Sequence, residues 1–304
     1  MNKGIKGIAI VLCIFSVAVF VLSSRYAKRD INNKKPEISM DEREVVISVT
    51  DPEEAIFQGV TAKDKEDGDV TDSLLIESMS NMDKHLSRTA VIAAFDKHGN
   101  VTKTSRNVSY SDYTSPTFTL NNPLTVQTTK LSSILEGVEV TDVLDGDITD
   151  LVQLETQKNI EKDVTDNYQA HLMVTNSAGD TVDIPITVTA CTITDMATAP
   201  SIELQTYLIY LNKGDNTPNW KSFLKTVTVA GRTWIWNDGF IPEAEDDGTI
   251  SELRPNEMEL RSSDIKVKQE VDTETPGVYE VNYYVKAYKA NPAAHTRLIV
   301  VVRE

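Results

Sequence analysis

The sequence predicts an all-β chain, three tandem β-sandwich modules following an N-terminal transmembrane helix. Three observations predict it. An acidic stretch occurs twice: Gly59-Val-Thr-Ala-Lys-Asp-Lys-Glu-Asp-Gly-Asp-Val-Thr-Asp72 and Gly137-Val-Glu-Val-Thr-Asp-Val-Leu-Asp-Gly-Asp-Ile-Thr-Asp150, with eight identities over eighteen positions from each glycine. A period near eighty residues is the signature of tandem modules. A second pattern, proline followed by apolar residues at alternate positions, occurs three times: Pro36-Glu-Ile-Ser-Met40, Pro116-Thr-Phe-Thr-Leu120 and Pro200-Ser-Ile-Glu-Leu204. Period-two alternation after a proline reads as the start of an edge strand. Helical periodicity is absent outside the N-terminal segment.

That segment comes first. Gly7 to Ser23 holds seventeen residues without a charge, the low end of a membrane-spanning helix. Lys3 and Lys6 precede it, as in the n-region of an export signal. The apolar run is longer than a typical cleaved signal, and Val21 and Ser23 make a poor cleavage site. Leu12 before Cys13 rules out a lipoprotein box. The reading is a cytoplasmic n-region (1–6), an uncleaved signal anchor (7–24) and a basic stem (25–35), with a cleaved signal peptide as the alternative. Five basic residues follow the span and two precede it. The positive-inside rule alone would therefore place the downstream chain in the cytoplasm. The export-type start outweighs this count, and the expectation is the opposite orientation: a single-pass cell-membrane protein with its C-terminal domains extracellular.

Beyond residue 35 the charge is strongly acidic. The first 35 residues carry seven of the 30 Lys and Arg and one of the 46 Asp and Glu, which leaves about −22 on the remainder. Such a surface repels nucleic acid, which binds through Lys and Arg. Apolar content of 40% is that of a folded chain. Cys13 lies in the apolar run and Cys191 in a module, so no disulfide is expected within the folded part.

The proline starts give modules at 36–113, 114–197 and 198–304. In the first, Glu44–Val49 reads as a strand, and Ala55–Ala62 enters the acidic turn. Leu74–Ile76 leaves it, and Ala90–Phe95 and Val101–Tyr110 form a final hairpin across Asp96–Asn100. The second repeats this order: Ser133–Val140, the turn, Val152–Leu154, then His171–Val174 and Thr181–Thr189 around Asn176–Gly179. Short strands at regular spacing, punctuated by Asp-Gly and Asn-containing turns, mark an antiparallel sandwich. The third module has diverged. Aligning Ser222–Val229 with Ser133–Val140 puts Thr226 where the others have glycine. The Asp-Gly-Asp turn is replaced by Trp234-Ile-Trp-Asn-Asp-Gly239 and the acidic run Glu243–Gly248. Val271–Val285 and Leu298–Val302 remain strong strands.

The pattern Gly-Val-x-Ala-x-Asp-x-x-Asp-Gly-Asp-Val-Thr, the hairpin Asp96-x-x-Gly-Asn100 and the strand Pro276-Gly-Val-Tyr-Glu-Val281 together resemble the bacterial immunoglobulin-like repeats of Gram-positive surface proteins. The resemblance covers nearly all of 36–304. Module two carries a drifted hairpin (Asn176 and Asp180), and module three only the Pro276 strand. It implies immunoglobulin-like sandwiches used as spacer or binding modules at the cell surface, and no catalytic activity.

Two groups of residues are candidates for chemistry. Asp64, Glu66, Asp67, Asp69 and Asp72, with Asp142, Asp145, Asp147 and Asp150, could supply oxygens to calcium, the one candidate cofactor. The spacing is not that of an EF-hand. The competing reading is a tight turn in which Gly68 and Gly146 take positive φ and the aspartates accept backbone N–H bonds. Trp220, Trp234 and Trp236 could form an aromatic platform for a protein or glycan partner, or pack in the core. The four histidines are scattered, and no nucleophile motif or phosphate loop appears, so the protein is not read as an enzyme. The expected function is adhesion or ligand binding through the third module, with a passive stalk as the alternative.

Overall fold

A computed structural model of the chain describes residues 16–23, 34–244, 249–250 and 259–304. The n-region and most of the anchor and stem thus lie outside the described residues, as does 245–248 of the acidic run. Residues 16–23 are helical, with exposed apolar side chains such as Phe20. No described helix is long and apolar enough to cross a membrane.

The described chain is built almost wholly from β-sheet. Its first seven strands are β1 (Glu37–Met40), β2 (Glu44–Ile47), β3 (Val60–Asp64), β4 (Gly68–Asp69), β5 (Leu75–Met79), β6 (Ser87–Phe95) and β7 (Val101–Tyr110). They form two sheets, ordered β1-β3-β4 and β2-β7-β6-β5. Strand β2 runs parallel to β7, while every other pairing is antiparallel. Alternation does the sorting. In β3, Val60, Ala62 and Asp64 point inward and Thr61 and Lys63 outward, as a half-buried strand requires. Val45, Ile47, Ile56, Val60, Ala90, Ile92 and Val108 fill the space between the sheets.

The next seven strands repeat this plan: β8 (Thr117–Leu120), β9 (Thr125–Gln127), β10 (Val138–Asp142), β11 (Gly146–Asp147), β12 (Gln153–Thr156), β13 (Asp166–Thr175) and β14 (Thr181–Cys191). Their sheets are β11-β10-β8 and β12-β13-β14-β9, with β9 parallel to β14. The last eight are β15 (Ser201–Leu204), β16 (Leu208–Asn212), β17 (Leu224–Val229), β18 (Arg232–Trp236), β19 (Phe240–Pro242), β20 (Ile265–Gln269), β21 (Gly277–Val285) and β22 (His295–Arg303). They make two four-stranded sheets, β15-β17-β18-β19 and β16-β22-β21-β20, again with one parallel pair, β16 and β22. Three successive sheet pairs share one topology, which places the chain among all-β sandwich proteins.

Three expectations need correction. A six-residue helix, Ile193–Thr198, breaks the all-β pattern. Thr192 caps it by accepting the Asp195 N–H at 3.1 Å, a local device that periodicity over six residues does not reveal. The alignment of Thr226 with the repeat glycines is also displaced. Gly59 and Gly137 each accept an N–H from the strand facing them, from Asp41 at 3.1 Å and Asn121 at 2.8 Å. In the third module that bond runs from Gln205 to the carbonyl of Phe223. Phe223, three residues earlier, therefore holds the glycine's place, and the register of β15 against β17 shifts at Glu203/Leu204 to absorb the difference. The acidic turn's replacement is a two-residue hairpin loop, Ala230-Gly231, between the paired Val229 and Arg232. Both loop residues have positive φ, 52° and 83°, the backbone of a tight type I′ turn.

The three sheet pairs resolve into two compact units, residues 1–113 and 114–304. Within the second, the two sandwiches share one hydrophobic cluster, running from Phe118, Leu172 and Ile186 to Leu224, Tyr283 and Ile299.

Candidate functional site

The repeated acidic turns share one set of backbone N–H bonds. Asp64 Oδ1 accepts the N–H groups of Glu66 at 2.7 Å and Asp67 at 3.0 Å. Asp142 Oδ1 accepts those of Leu144 at 2.9 Å and Asp145 at 3.0 Å. Gly68 and Gly146 take φ of +78° and +74°, open to glycine at little cost. Asp69 Oδ1 accepts the Thr71 N–H and Asp147 Oδ1 the Thr149 N–H, both at 3.0 Å. The threonine hydroxyls in turn accept the N–H of Ala62 at 3.0 Å and Val140 at 2.9 Å. The carboxylates of Asp67 and Asp145 reach across to the final hairpin of their own sandwich. Asp67 Oδ2 accepts the Lys97 N–H at 3.0 Å, and Asp145 Oδ2 accepts the Ser177 N–H at 2.6 Å. Each turn is thus a clasp that ties the β3–β4 or β10–β11 corner to the last hairpin. Glu66, Asp72 and Asp150 are exposed, and nothing in the structure explains their identity.

Charge follows from these bonds. The backbone N–H groups of Asp67 and Glu66 hold the Asp64 carboxyl below the ordinary carboxylate range. The Thr71 and Thr149 side chains do the same for Asp69 and Asp147. Hydrogen bonds to a carboxylate favour its ionised form.

Of the nine acids considered for calcium, only Asp67 joins a compact ligand group among the described residues. Its partners are Asp96 and His98 of the final hairpin, with candidate ligand atoms within 4.8 Å. His98 Nδ1 lies 3.6 Å from Asp67 Oδ2. Asp96 is already engaged, accepting the His98 and Asn100 N–H groups at 2.8 Å each. A donor set containing imidazole nitrogen does not match calcium, which takes oxygen ligands alone. In the second sandwich Asn176 stands where Asp96 stands, and its Nδ2 donates to Asp142 Oδ2 at 3.0 Å. The turn reading accounts for Asp64, Asp67 and Asp69 and for their counterparts Asp142, Asp145 and Asp147.

The tryptophans separate. Trp234 is buried in the shared core, 3% exposed. Trp220 and Trp236 pack half-buried against it. Trp236 meets Phe240 edge-on at 5.0 Å between ring centroids, and the Trp220 carbonyl accepts the Tyr283 hydroxyl at 2.8 Å. On the opposite face of β18 and β19, Ile235 and Ile241 are directly paired and exposed.

Sequence reasoning missed the joint inside the second unit. Arg297 is 5% exposed. Its Nη1 donates to Thr189 Oγ1 at 2.6 Å and its Nη2 to Asn167 Oδ1 at 2.9 Å, both on the preceding sandwich. Its Nε stands 3.6 Å from Glu280 Oε2, while Glu280 Oε1 accepts the Thr187 N–H at 2.6 Å. Burial pushes the guanidinium's pKa down and Glu280 holds it up; Arg297 is buried, while Glu280 is half-buried at the edge of the joint. A second tie lies beside it. The Tyr210 hydroxyl accepts the Phe118 N–H at 2.8 Å, and the Arg303 guanidinium stacks 3.7 Å over the Tyr210 ring. Main-chain bonds finish the joint: Tyr207 donates to the Leu120 carbonyl at 3.0 Å and accepts from Ile299 at 2.8 Å. The available signal was Arg297 at the head of the apolar run Leu298–Val302, a charge where a core strand begins.

No family model and no curated protein matches the chain. Solved structures with some similarity include CBM51-2 in complex with GlcNAc and INT domains from Clostridium perfringens ZmpB, at 17% identity and a TM-score of 0.21, covering 47% of this chain and 30% of that one. The lipoprotein BT2262 from Bacteroides thetaiotaomicron covers 87% and 98% at 10% identity and 0.19. Protocadherin Gamma B2 extracellular cadherin domains 1–5 cover 90% and 61% at 13% and 0.19. Superpositions at this level do not set one multi-module β protein apart from another. What stands is an all-β, multi-module architecture; the finer assignment to the bacterial immunoglobulin-like repeats has no family-model support.

Proposed function

We propose that the protein is a non-catalytic, membrane-tethered surface protein whose β-sandwiches act as a stiff spacer presenting binding surfaces outside the cell. The observation that carries this reading is the joint at Arg297. A shared apolar core, with the buried Arg297 bonded across it, holds two sandwiches as one body more firmly than the polar contacts usual between mobile domains. Six of the nine candidate acids are engaged in holding the turns, which favours a structural or binding role over catalysis. The burial of Trp234 favours the spacer reading over adhesion through a tryptophan platform. Half-buried Trp220 and Trp236 leave a smaller partner surface on the last sandwich.

Stiffness is tested by spin labels at Val143→Cys and Lys268→Cys, one on each sandwich of the second unit, read by pulsed dipolar spectroscopy. A single narrow distance distribution is expected; a broad one would remove the spacer reading. Export is tested separately by protease treatment of intact cells bearing a C-terminal tag. Loss of the tag is expected, and its protection would place the modules inside.

A further inference from the structure

The first sandwich contains a charge at a position where the second has hydrocarbon. The final hairpins superpose by register. Phe95 pairs with Val101 and Thr175 with Thr181, and five pairs further on Ala90 faces Arg106 where Ala170 faces Ile186. Both alanines are buried, Ile186 is 1% exposed and Arg106 only 4%. Arg106 thus sits where its twin carries an aliphatic core residue. A guanidinium stays charged in a protein, so its burial is unfavourable unless the charge is met.

The fold meets it on one side only. Nη1 donates to the Ile56 carbonyl at 2.7 Å and the Gln58 carbonyl at 2.6 Å. Nε is shielded from solvent and has no hydrogen-bond partner. Among the described residues Arg106 makes no ion pair, and Nη2 makes no hydrogen bond to them. Nη2, unlike Nε, is not sealed from solvent, and a guanidinium N–H of this kind makes a strong charge-assisted bond to a carboxylate. Arg106 also lines an open cavity of about 630 Å³, together with Gln58, Gly59 and the acids Asp41, Glu42 and Glu44.

We propose that this cavity is a binding site for a small zwitterion of the α-amino-acid class. The ligand's carboxylate is received by Nη2 of Arg106, and its ammonium by the carboxylates of Asp41, Glu42 and Glu44. The charge arrangement selects for both groups together. A simple anion must pass three acidic side chains, and a simple cation meets the guanidinium. The site lies in the first unit and is independent of the spacer reading.

The test is a titration of the purified full chain in detergent with glycine, acetate and methylammonium as probes. It is followed through the Arg106 Nε–H signal in ¹H–¹⁵N spectra and by calorimetry. Glycine should shift the Arg106 signal and bind at least about tenfold more tightly than either single-charge probe. Arg106→Ile, which copies the twin position, should still unfold cooperatively and should abolish the glycine response. Glu44→Gln, which leaves the guanidinium in place, should weaken glycine at least about threefold and leave acetate unchanged or tighter. No glycine response in the wild type would overturn the proposal. Equal binding of glycine and acetate, or glycine binding that survives Arg106→Ile, would overturn it as well. Glycine binding to the wild type that leaves the Arg106 Nε–H signal unshifted would place the ligand elsewhere and overturn the proposal.

Discussion

Replacing Asp142 by alanine tests the clasp that both acidic turns share. Asp142 is 6% exposed and accepts three hydrogen bonds, two from backbone N–H groups at 2.9 and 3.0 Å and one from Asn176 Nδ2 at 3.0 Å. Hydrogen bonds to a charged acceptor contribute about 1.5–3 kcal/mol each, and donors left unmet inside the fold add to the loss. The turn amides lie close enough to the surface for water to recover part of this, so the expected destabilisation is about 3–5 kcal/mol. That is a large share of the roughly 5–15 kcal/mol that holds an ordinary domain. The assay is thermal and urea unfolding of wild type, Asp142→Ala, Asn176→Ala and the double variant, each with calcium and with chelator. The Asp142–Asn176 bond should appear as a coupling of about 1–2 kcal/mol in the cycle. The loss should be the same with and without calcium, because the carboxylate serves amides. A destabilisation below about 1 kcal/mol, or one seen only when calcium is present, would refute the reasoning.

Three further outcomes follow from the same structure. Trp234→Ala should destabilise by about 3–5 kcal/mol, as for a buried aromatic, whereas Ile235→Ala on the exposed face should stay within roughly 0.5 kcal/mol; equal effects would contradict the placement of β18. Acid should weaken the fold: the carboxyls of Asp64, Asp69 and Asp147 are lowered in the native state, so their contribution is present above the unfolded carboxylate pKa near 4 and is lost as pH falls through the native values. A melting temperature flat from about pH 5 to 2 would count against those bonds. Cys191 is wholly buried and its thiol is pushed up to about 11, chiefly by burial. It should therefore resist thiol reagents at pH 8 until the second unit unfolds, and rapid labelling of the native protein would place it elsewhere.

Much of the fold was legible in the sequence, because sandwich strands announce themselves by local rules. Val101–Tyr110 was read with the bounds the structure shows, since its turn and its alternation are both local. The acidic turn was legible as a turn, because Gly68 and Gly146 need positive φ and the neighbouring aspartates need amides. Its second job was not, since the bonds from Asp67 to Lys97 and from Asp145 to Ser177 join residues about thirty apart. The Phe223 register was missed for a related reason: an extra residue opposite β15 shifts the ladder without a marker in the residue types. Arg297 and Arg106 were invisible as partners. A single Arg in a strand reads as a solvent-facing charge, and only the packing of a second element turns it inward. Trp234 and Trp236 alternate in β18 and so share one face, but periodicity does not say which face is covered.

The central claim is that residues 114–304 behave as one body held at Arg297. Differential scanning calorimetry of the full chain with Arg297→Met tests it most directly. Wild type should show the second unit melting as one cooperative transition. Arg297→Met removes the charge that meets Glu280, Asn167 and Thr189, leaves Thr189 Oγ1 buried without its donor, and should cost about 1–3 kcal/mol while splitting that transition in two. Separate melting of the two sandwiches already in the wild type, or an unsplit and unshifted transition in the variant, would contradict the account.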